Sequence, residues 1–171
     1  MAKKRKYKVG DKIVSFGQIY RIFKIRKKKF KDGTKRVIFY RPYYKNQENR
    51  TIICSIPVEN ICMTEMRKPI SRTDLQQLLE KLSRKANKVD ELDTNKAKEM
   101  LGENNPNKTV GILRILWRVK NDEDMNFTKS QKDVLNLAIE RLVEEVAFVG
   151  KMSIDKAGEK IKDSLNKTIS A

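Results

Sequence analysis

The sequence predicts an α+β chain: a small antiparallel β-barrel over residues 1–68, followed by an all-helical domain over residues 69–171. Three observations predict it. Before Lys68, short runs of β-branched and aromatic residues are separated by turn residues. After Lys68, apolar residues recur at spacings of three and four. The charge changes at the same place: residues 1–68 hold 20 Lys/Arg against 5 Asp/Glu, whereas residues 69–171 hold 19 against 17.

In the first half, residues 3–8 read as a basic tail and Val9-Gly10-Asp11 as a turn into a strand carrying Ile13, Val14 and Phe16, with a bend at Gly17. A second run, Ile19 to Ile25, continues through Lys27, Lys28, Lys29 and Phe30. Asp32-Gly33 suits a type I′ hairpin turn, because glycine tolerates positive φ. The return strand spans Lys35 to Tyr40 and ends near Pro42. Polar residues 45–49 make another turn, and a last strand runs from Arg50 to Ile56. In it Ile52, Cys54 and Ile56 share one face and Ile53 and Ser55 the other.

In the second half, Ser71 to Ala86 carries a stripe of Leu75, Leu78, Leu79 and Leu82. Asp93 to Leu101 reads as a shorter helix stopped by Gly102. Asn105 suits an N-cap and Pro106 the first helical position of the next helix, which carries Val110, Leu113 and Trp117. Thr128 to Gln131 matches a capping box, and a final helix starts at Ser153.

Composition excludes several chemistries. There is no histidine, so Ser-His-Asp and Cys-His catalysis are absent. Cys54 and Cys62 alone cannot complete a four-thiolate zinc site and read as small hydrophobes. No glycine-rich phosphate loop occurs. Neither an apolar run of membrane-spanning length nor a signal-peptide core follows the basic N-terminus. The expectation is a cytoplasmic protein that is not an enzyme, has no cofactor, metal or small-molecule substrate, and makes no membrane contact. A net charge of +17, concentrated in the first 68 residues, points to a polyanionic partner.

Several phrases, in order, resemble the CarD/CdnL family of bacterial transcription regulators. Lys8 to Val14 (KVGDKIV) is similar to that family's opening strand, and Ile52 to Ile61 (IICSIPVENI) to its Val-Pro-(Val/Ala)-Glu-Asn phrase. Arg67, the helix ending in Leu116-Trp117-Arg118, and the capped helix from Thr128 to Phe148 resemble its later segments. The resemblance covers roughly residues 7–165. It implies a Tudor-like N-terminal barrel that docks on the RNA polymerase β subunit, partly by a strand edge, and helices that touch promoter DNA beside the melted region. DNA binding by the free protein is expected to be weak, non-specific and salt-dependent.

On this reading the polymerase-binding candidates are Lys28, Lys29, Lys35, Arg36, Arg41, Arg50, Ile53 and Ser55. The lysines around the hairpin form a basic finger for acidic residues or phosphates, or else a solvated tip. Arg41 and Arg50 suit bidentate contact with carboxylates. Tyr40, Tyr43 and Tyr44 suit base stacking or rim packing. The DNA-facing candidates are Leu92, Lys96, Lys98, Lys108, Arg114 and Arg118. The family's DNA-wedging tryptophan has no counterpart; its position falls within Asp90 to Asp93, where Leu92 either inserts or packs between helices. Trp117 reads as a core residue. The family's Tyr-Pro-x-His-Gly phrase is replaced by Ser15-Phe16-Gly17. A ribosome-associated or RNA-binding accessory protein is the alternative, weakened by the near-neutral helical half.

Overall fold

The computed structural model describes residues 7–86 and 92–170. The chain is α+β, and its described residues fall into two compact units, one within residues 7–15 and 19–69 and one within residues 16–18 and 70–170.

The first unit is a four-stranded antiparallel meander: β1 (Lys12–Ser15), β2 (Gln18–Phe30), β3 (Gly33–Pro42) and β4 (Cys54–Pro57), in that order across the sheet. β2 and β3 pair from Tyr20↔Pro42 to Phe30↔Gly33, with a bulge between Ile22 and Lys24. β4 covers only Val37 to Tyr40 of β3. The expected barrel is therefore an open sheet among the described residues. β4 stops at Pro57, where a 3₁₀ segment (Val58–Met63) takes over, and the chain returns to β1 through the single bridge Val14↔Arg67. Inward side chains Ile13, Ile22 and Ile38 form the core with Ile61, Met66 and Tyr7.

Tyr7 corrects one expectation. The reading of residues 3–8 as a tail falls largely outside the described residues, but Tyr7 is only 4% exposed and belongs to the core. The turns correct another. The β2–β3 loop is Lys31-Asp32, with Gly33 opening β3, and neither loop residue has positive φ. Positive φ at both central positions, the type I′ signature, occurs instead at Phe16 (50°) and Gly17 (73°) between β1 and β2. The last strand is shorter than expected. Asn46 Oδ1 accepts from the amides of Glu48 and Asn49, and Asn49 Oδ1 from that of Asn46. These side-chain bonds hold residues 46–50 in a turn, and the Ile52 amide bonds back to Asn49 O at 3.0 Å instead of joining the ladder.

The second unit contains α1 (Arg72–Leu82), α2 (Thr94–Gly102), α3 (Pro106–Asn121), α4 (Lys129–Gly150) and α5 (Ile154–Asn166). Their starts follow side-chain chemistry. Ser71 and Asp74, and Thr128 and Gln131, form reciprocal capping boxes, while Asp93, Asn105 and Ser153 accept from amides of the first turn. Gly102 is the last residue of α2 rather than its stop; Asn104, at φ 55°, makes the left-handed turn that follows. α4 is central, packing on α1, α2, α3 and α5. Leu135, Ala138, Leu142 and Val146 along it meet Leu75, Leu78, Leu113, Leu116 and Ile161 in a buried core. The buried Glu145 accepts from the Ile70 amide at 2.9 Å, fixing the approach to α1. No helix among the described residues is long and apolar enough to cross a membrane.

Thr128→Ala removes a cap from the central helix and is expected to lower unfolding free energy by about 1 kcal/mol. Tyr7→Ala is expected to cost about 3 kcal/mol, the range for deleting a buried aromatic ring. Urea titrations of the full chain measure both, and a Tyr7→Ala change indistinguishable from wild type would place Tyr7 outside the core.

Candidate polyanion-binding surface

The β2–β3 pairing continues past the end of β4. From Gly33 to Arg36, β3 has β2 as a partner but no residue of β4. This stretch is a two-stranded ribbon carrying Lys27, Lys28, Lys29 and Lys31 on β2 and its loop, and Lys35 and Arg36 on β3, with Arg26 opposite Val37 at its base. Alternation puts Arg26 and Lys28 on one face and Lys27 and Lys29 on the other.

The register sets like charges directly opposite one another. Arg21 faces Arg41, Lys27 faces Arg36, and Lys28 faces Lys35. Such pairs destabilise an antiparallel ladder. Two of the seven ribbon cations are compensated internally. Lys35 Nζ lies 2.5 Å from Asp32 and 3.7 Å from Glu59, and its hydrogen bond to Asp32 raises the lysine pKa and lowers that of the aspartate. Arg36 Nη2 donates to Tyr7 O at 3.1 Å, tying the ribbon's base to the segment before β1. Among the described residues no carboxylate pairs with Arg26, Lys27, Lys28, Lys29 or Lys31.

Aromatic rings on the sheet are occupied by cations. Lys24 and Lys28 lie 5.8 and 5.1 Å from the Phe39 centroid, Arg41 lies 5.0 Å from Phe23, and Lys35 lies 5.8 Å from Phe30. Each contact offsets part of the repulsion, by about 0.5–1 kcal/mol at exposed sites. Tyr20 and Tyr40 meet edge to face, as do Tyr43 and Tyr44, and Lys12 sits over Tyr43.

The polymerase-contact candidates thus divide. Lys28, Lys29, Lys35 and Arg36 lie on the ribbon. Ser55 and Ile53 lie in and beside the edge strand β4, with Arg50 in the turn before it. Ile53 is 64% exposed and is joined as an exposed apolar side chain by Ile52 and Met63. Arg41 sits near the end of β3, on the face it shares with Phe39 and Ser55.

The DNA candidates of the helical unit do not converge. Lys96 and Lys98 are exposed on α2 but two residues apart, about 200° around the helix. Lys108 is ion-paired with Glu103. Arg114 Nε donates to Arg84 O at 2.7 Å and its Nη2 to Lys85 O, closing the carbonyl end that follows α1. Arg118 lies in a groove with Asp122 and Asp124. Leu92 is half-buried and immediately precedes the Asp93 cap, the position from which an apolar side chain staples the first turn of a helix. Asp90 and Glu91, the rest of the expected wedge segment, lie outside the described residues. Trp117 is buried and donates to Asn166 Oδ1 at 3.2 Å.

Sequence reasoning passed over Lys24, Arg26, Phe23 and Phe39. The bulge after Ile22 shifts the alternation, so the pairing of Lys24 with Phe39 was not readable from the β2 pattern alone. No protein-family model matches this chain, and no characterised protein matches it in sequence. Among the described residues no group of three or more acidic or cysteine side chains is arranged to hold a metal. Burial pushes the Cys54 thiol up from its ordinary value, away from the thiolate form. The exposed Cys62 thiol donates to Glu59 O at 3.0 Å.

Arg114→Gln is expected to lower the stability of the chain by about 2 kcal/mol, since it unties charge-assisted bonds. Lys96→Gln and Lys98→Gln should each stay within about 0.5 kcal/mol of wild type. Equal effects in urea unfolding would remove Arg114 from a structural role. A second expectation concerns Tyr40, whose phenol is pushed up to about 12 by burial, with the neighbouring Cys54 adding to it. Folding raises this pKa, so the neutral phenol's contribution is fully present below pH 10, its ordinary value, and is lost as pH rises toward 12. Ultraviolet titration should resolve one late-ionising tyrosine that Tyr40→Phe removes.

Proposed function

We propose that this chain is a bacterial transcription regulator that docks on the RNA polymerase β subunit through its sheet unit and brings its helical unit to promoter DNA. The observation that carries the reading is the edge of the sheet. β4 is a terminal strand, short, and flanked by the exposed apolar side chains of Ile52, Ile53 and Met63. An exposed strand edge with alternate side chains available beside it is a recurrent way to add a partner's strand. Natural sheets usually blunt such an edge with charge, and here the exposed residues just before β4 are apolar.

The fold supports the same reading. A meander, a 3₁₀ segment after β4, and a return to β1 at Arg67 fit a Tudor-like barrel whose closing strand is reduced to one bridge. Within this reading Ile53 and Ser55 supply the edge contact, while Arg41 and Arg50 clamp carboxylates beside it. The protein acts by binding, without bond-making chemistry of its own, in the cytoplasm where polymerase works. The position of Leu92 ahead of a helix cap favours packing over a DNA wedge, so open-complex stabilisation rests on docking and electrostatics.

Capture of the β subunit by the immobilised full-length chain tests the proposal. Ile53→Asp puts a carboxylate beside the edge and is expected to weaken capture at least tenfold, Arg41→Glu with Arg50→Glu by a comparable amount, and Lys45→Glu little. Undiminished capture by Ile53→Asp, with unchanged circular dichroism, would remove the β4 edge from the interface.

A further inference from the structure

We propose that the β2–β3 ribbon is a binding arm for duplex DNA, gripping phosphates through Arg26, Lys27, Lys28, Lys29 and Lys31. This goes beyond the polymerase reading and needs no polymerase.

The argument begins with what the ribbon does without. Past Val37 it has no third strand, and it presents opposed cation pairs at Lys27↔Arg36 and Lys28↔Lys35. An isolated two-stranded hairpin is marginal in water, and like charges across it make it worse. The fold compensates only Lys35, through Asp32 and Glu59, and Arg36, through the Tyr7 carbonyl. Those two candidates serve the ribbon itself. The five remaining cations have no carboxylate partner among the described residues and gain nothing from the fold by being charged, beyond the stacking of Lys28 on Phe39. A polyanion supplies the missing compensation.

Geometry narrows the polyanion. Cations stand on both faces of the ribbon, Arg26 and Lys28 on one and Lys27 and Lys29 on the other. A major groove about 12 Å wide admits a two-stranded ribbon, and its two phosphate walls give both faces a partner. A flat acidic protein surface would engage one face and leave the other row unneutralised. Single strands are bound chiefly by stacking bases on open aromatic faces. Here Phe23, Phe39 and Phe30 already carry Arg41, Lys24 with Lys28, and Lys35 over their rings. The ribbon therefore offers phosphate contacts without a stacking platform. Arg26 to Lys31 holds no side chain suited to reading adenine or cytosine edges, so sequence preference is expected to be weak and confined to guanine contacts by Arg26 and the lysines.

Fluorescence anisotropy of the full-length chain tests this with three probes: a short mixed-sequence DNA duplex, a single strand of the same length, and polyglutamate. Duplex affinity should fall roughly 500-fold between about 50 and 200 mM salt, as neutralising about five phosphates requires. The duplex should bind at least fivefold tighter than either other probe. Arg26→Gln combined with Lys27→Gln, Lys29→Gln and Lys31→Gln should remove most of that affinity and flatten the salt dependence. Lys156→Gln with Lys160→Gln and Lys162→Gln, three exposed lysines of α5, should leave both nearly unchanged. Equal or tighter binding of the single strand or of polyglutamate overturns the proposal, as does full duplex binding by the ribbon variant. β-subunit capture separates this from the docking reading: the ribbon variant should keep capture, and Ile53→Asp should keep duplex binding. Either surface can thus fail alone.

Discussion

The antiparallel ladder between β2 and β3 is the interaction on which the sheet unit depends. It brings Ile22 and Ile38 to the core face, and it sets Phe39 opposite Lys24 and within reach of Lys28. A slip of one residue would exchange the two faces, putting cations into the core and isoleucines into water. Inside the core-forming stretch the register is held by burial of Ile22, Ile25 and Ile38. Beyond it no burial helps, and the Asp32–Lys35 pair and the Arg36–Tyr7 bond take over. Cation–ring contacts then explain how a surface so rich in like charge stays folded: repulsion in the plane of the sheet is partly met by attraction to the rings beneath.

Much of this architecture was legible in the sequence, for local reasons. Ser71, Asn105 with Pro106, Thr128 and Ser153 cap helices where their spacing from the first apolar turn indicated, because capping is settled within four residues. What was not legible depended on distant partners. Asp32-Gly33 looks like a type I′ turn, yet pairing of Phe30 with Gly33 moves the loop back by one residue. Arg50 to Ile56 reads as one strand, yet Asn46 and Asn49 bond each other's backbone first and β4 begins only at Cys54. Tyr7 sits in a run of lysines, and only the folded sheet gives its ring a place to be buried.

The candidate site was legible in the same uneven way. Charge density located the hairpin, but charge alone could not tell a cation that holds the fold from one that faces outward. Lys35 and Arg36 read like Lys28 and Lys29 in the sequence, yet they are held by Asp32, Glu59 and Tyr7. Arg114 suits phosphates by sequence, yet it closes the carbonyl end that follows α1. In the helical half Lys108 pairs with Glu103, Arg84 with Glu80, and Arg114 with the Arg84 and Lys85 carbonyls.

The shortness of β4 links the two proposed surfaces. Because β4 pairs only with Val37 to Tyr40, it leaves Gly33 to Arg36 as a bare two-stranded ribbon. Because it is also the last strand of the meander, its own outer edge is open beside Ile52 and Ile53. A longer β4 would bury the ribbon's base and stabilise it, at the expense of both surfaces. The pattern before β4 enforces the short form: the Asn46–Asn49 turn consumes residues that would otherwise extend the ladder. One strand of four residues therefore exposes an apolar edge suited to a protein strand and, further along β3, a cationic ribbon suited to phosphates. The two differ in what drives binding, backbone pairing and apolar burial in one case and counterion release in the other. On the two proposals, added salt should weaken the ribbon's hold on phosphates more steeply than docking at the edge, where Arg41 and Arg50 alone contribute charge beside the apolar contact.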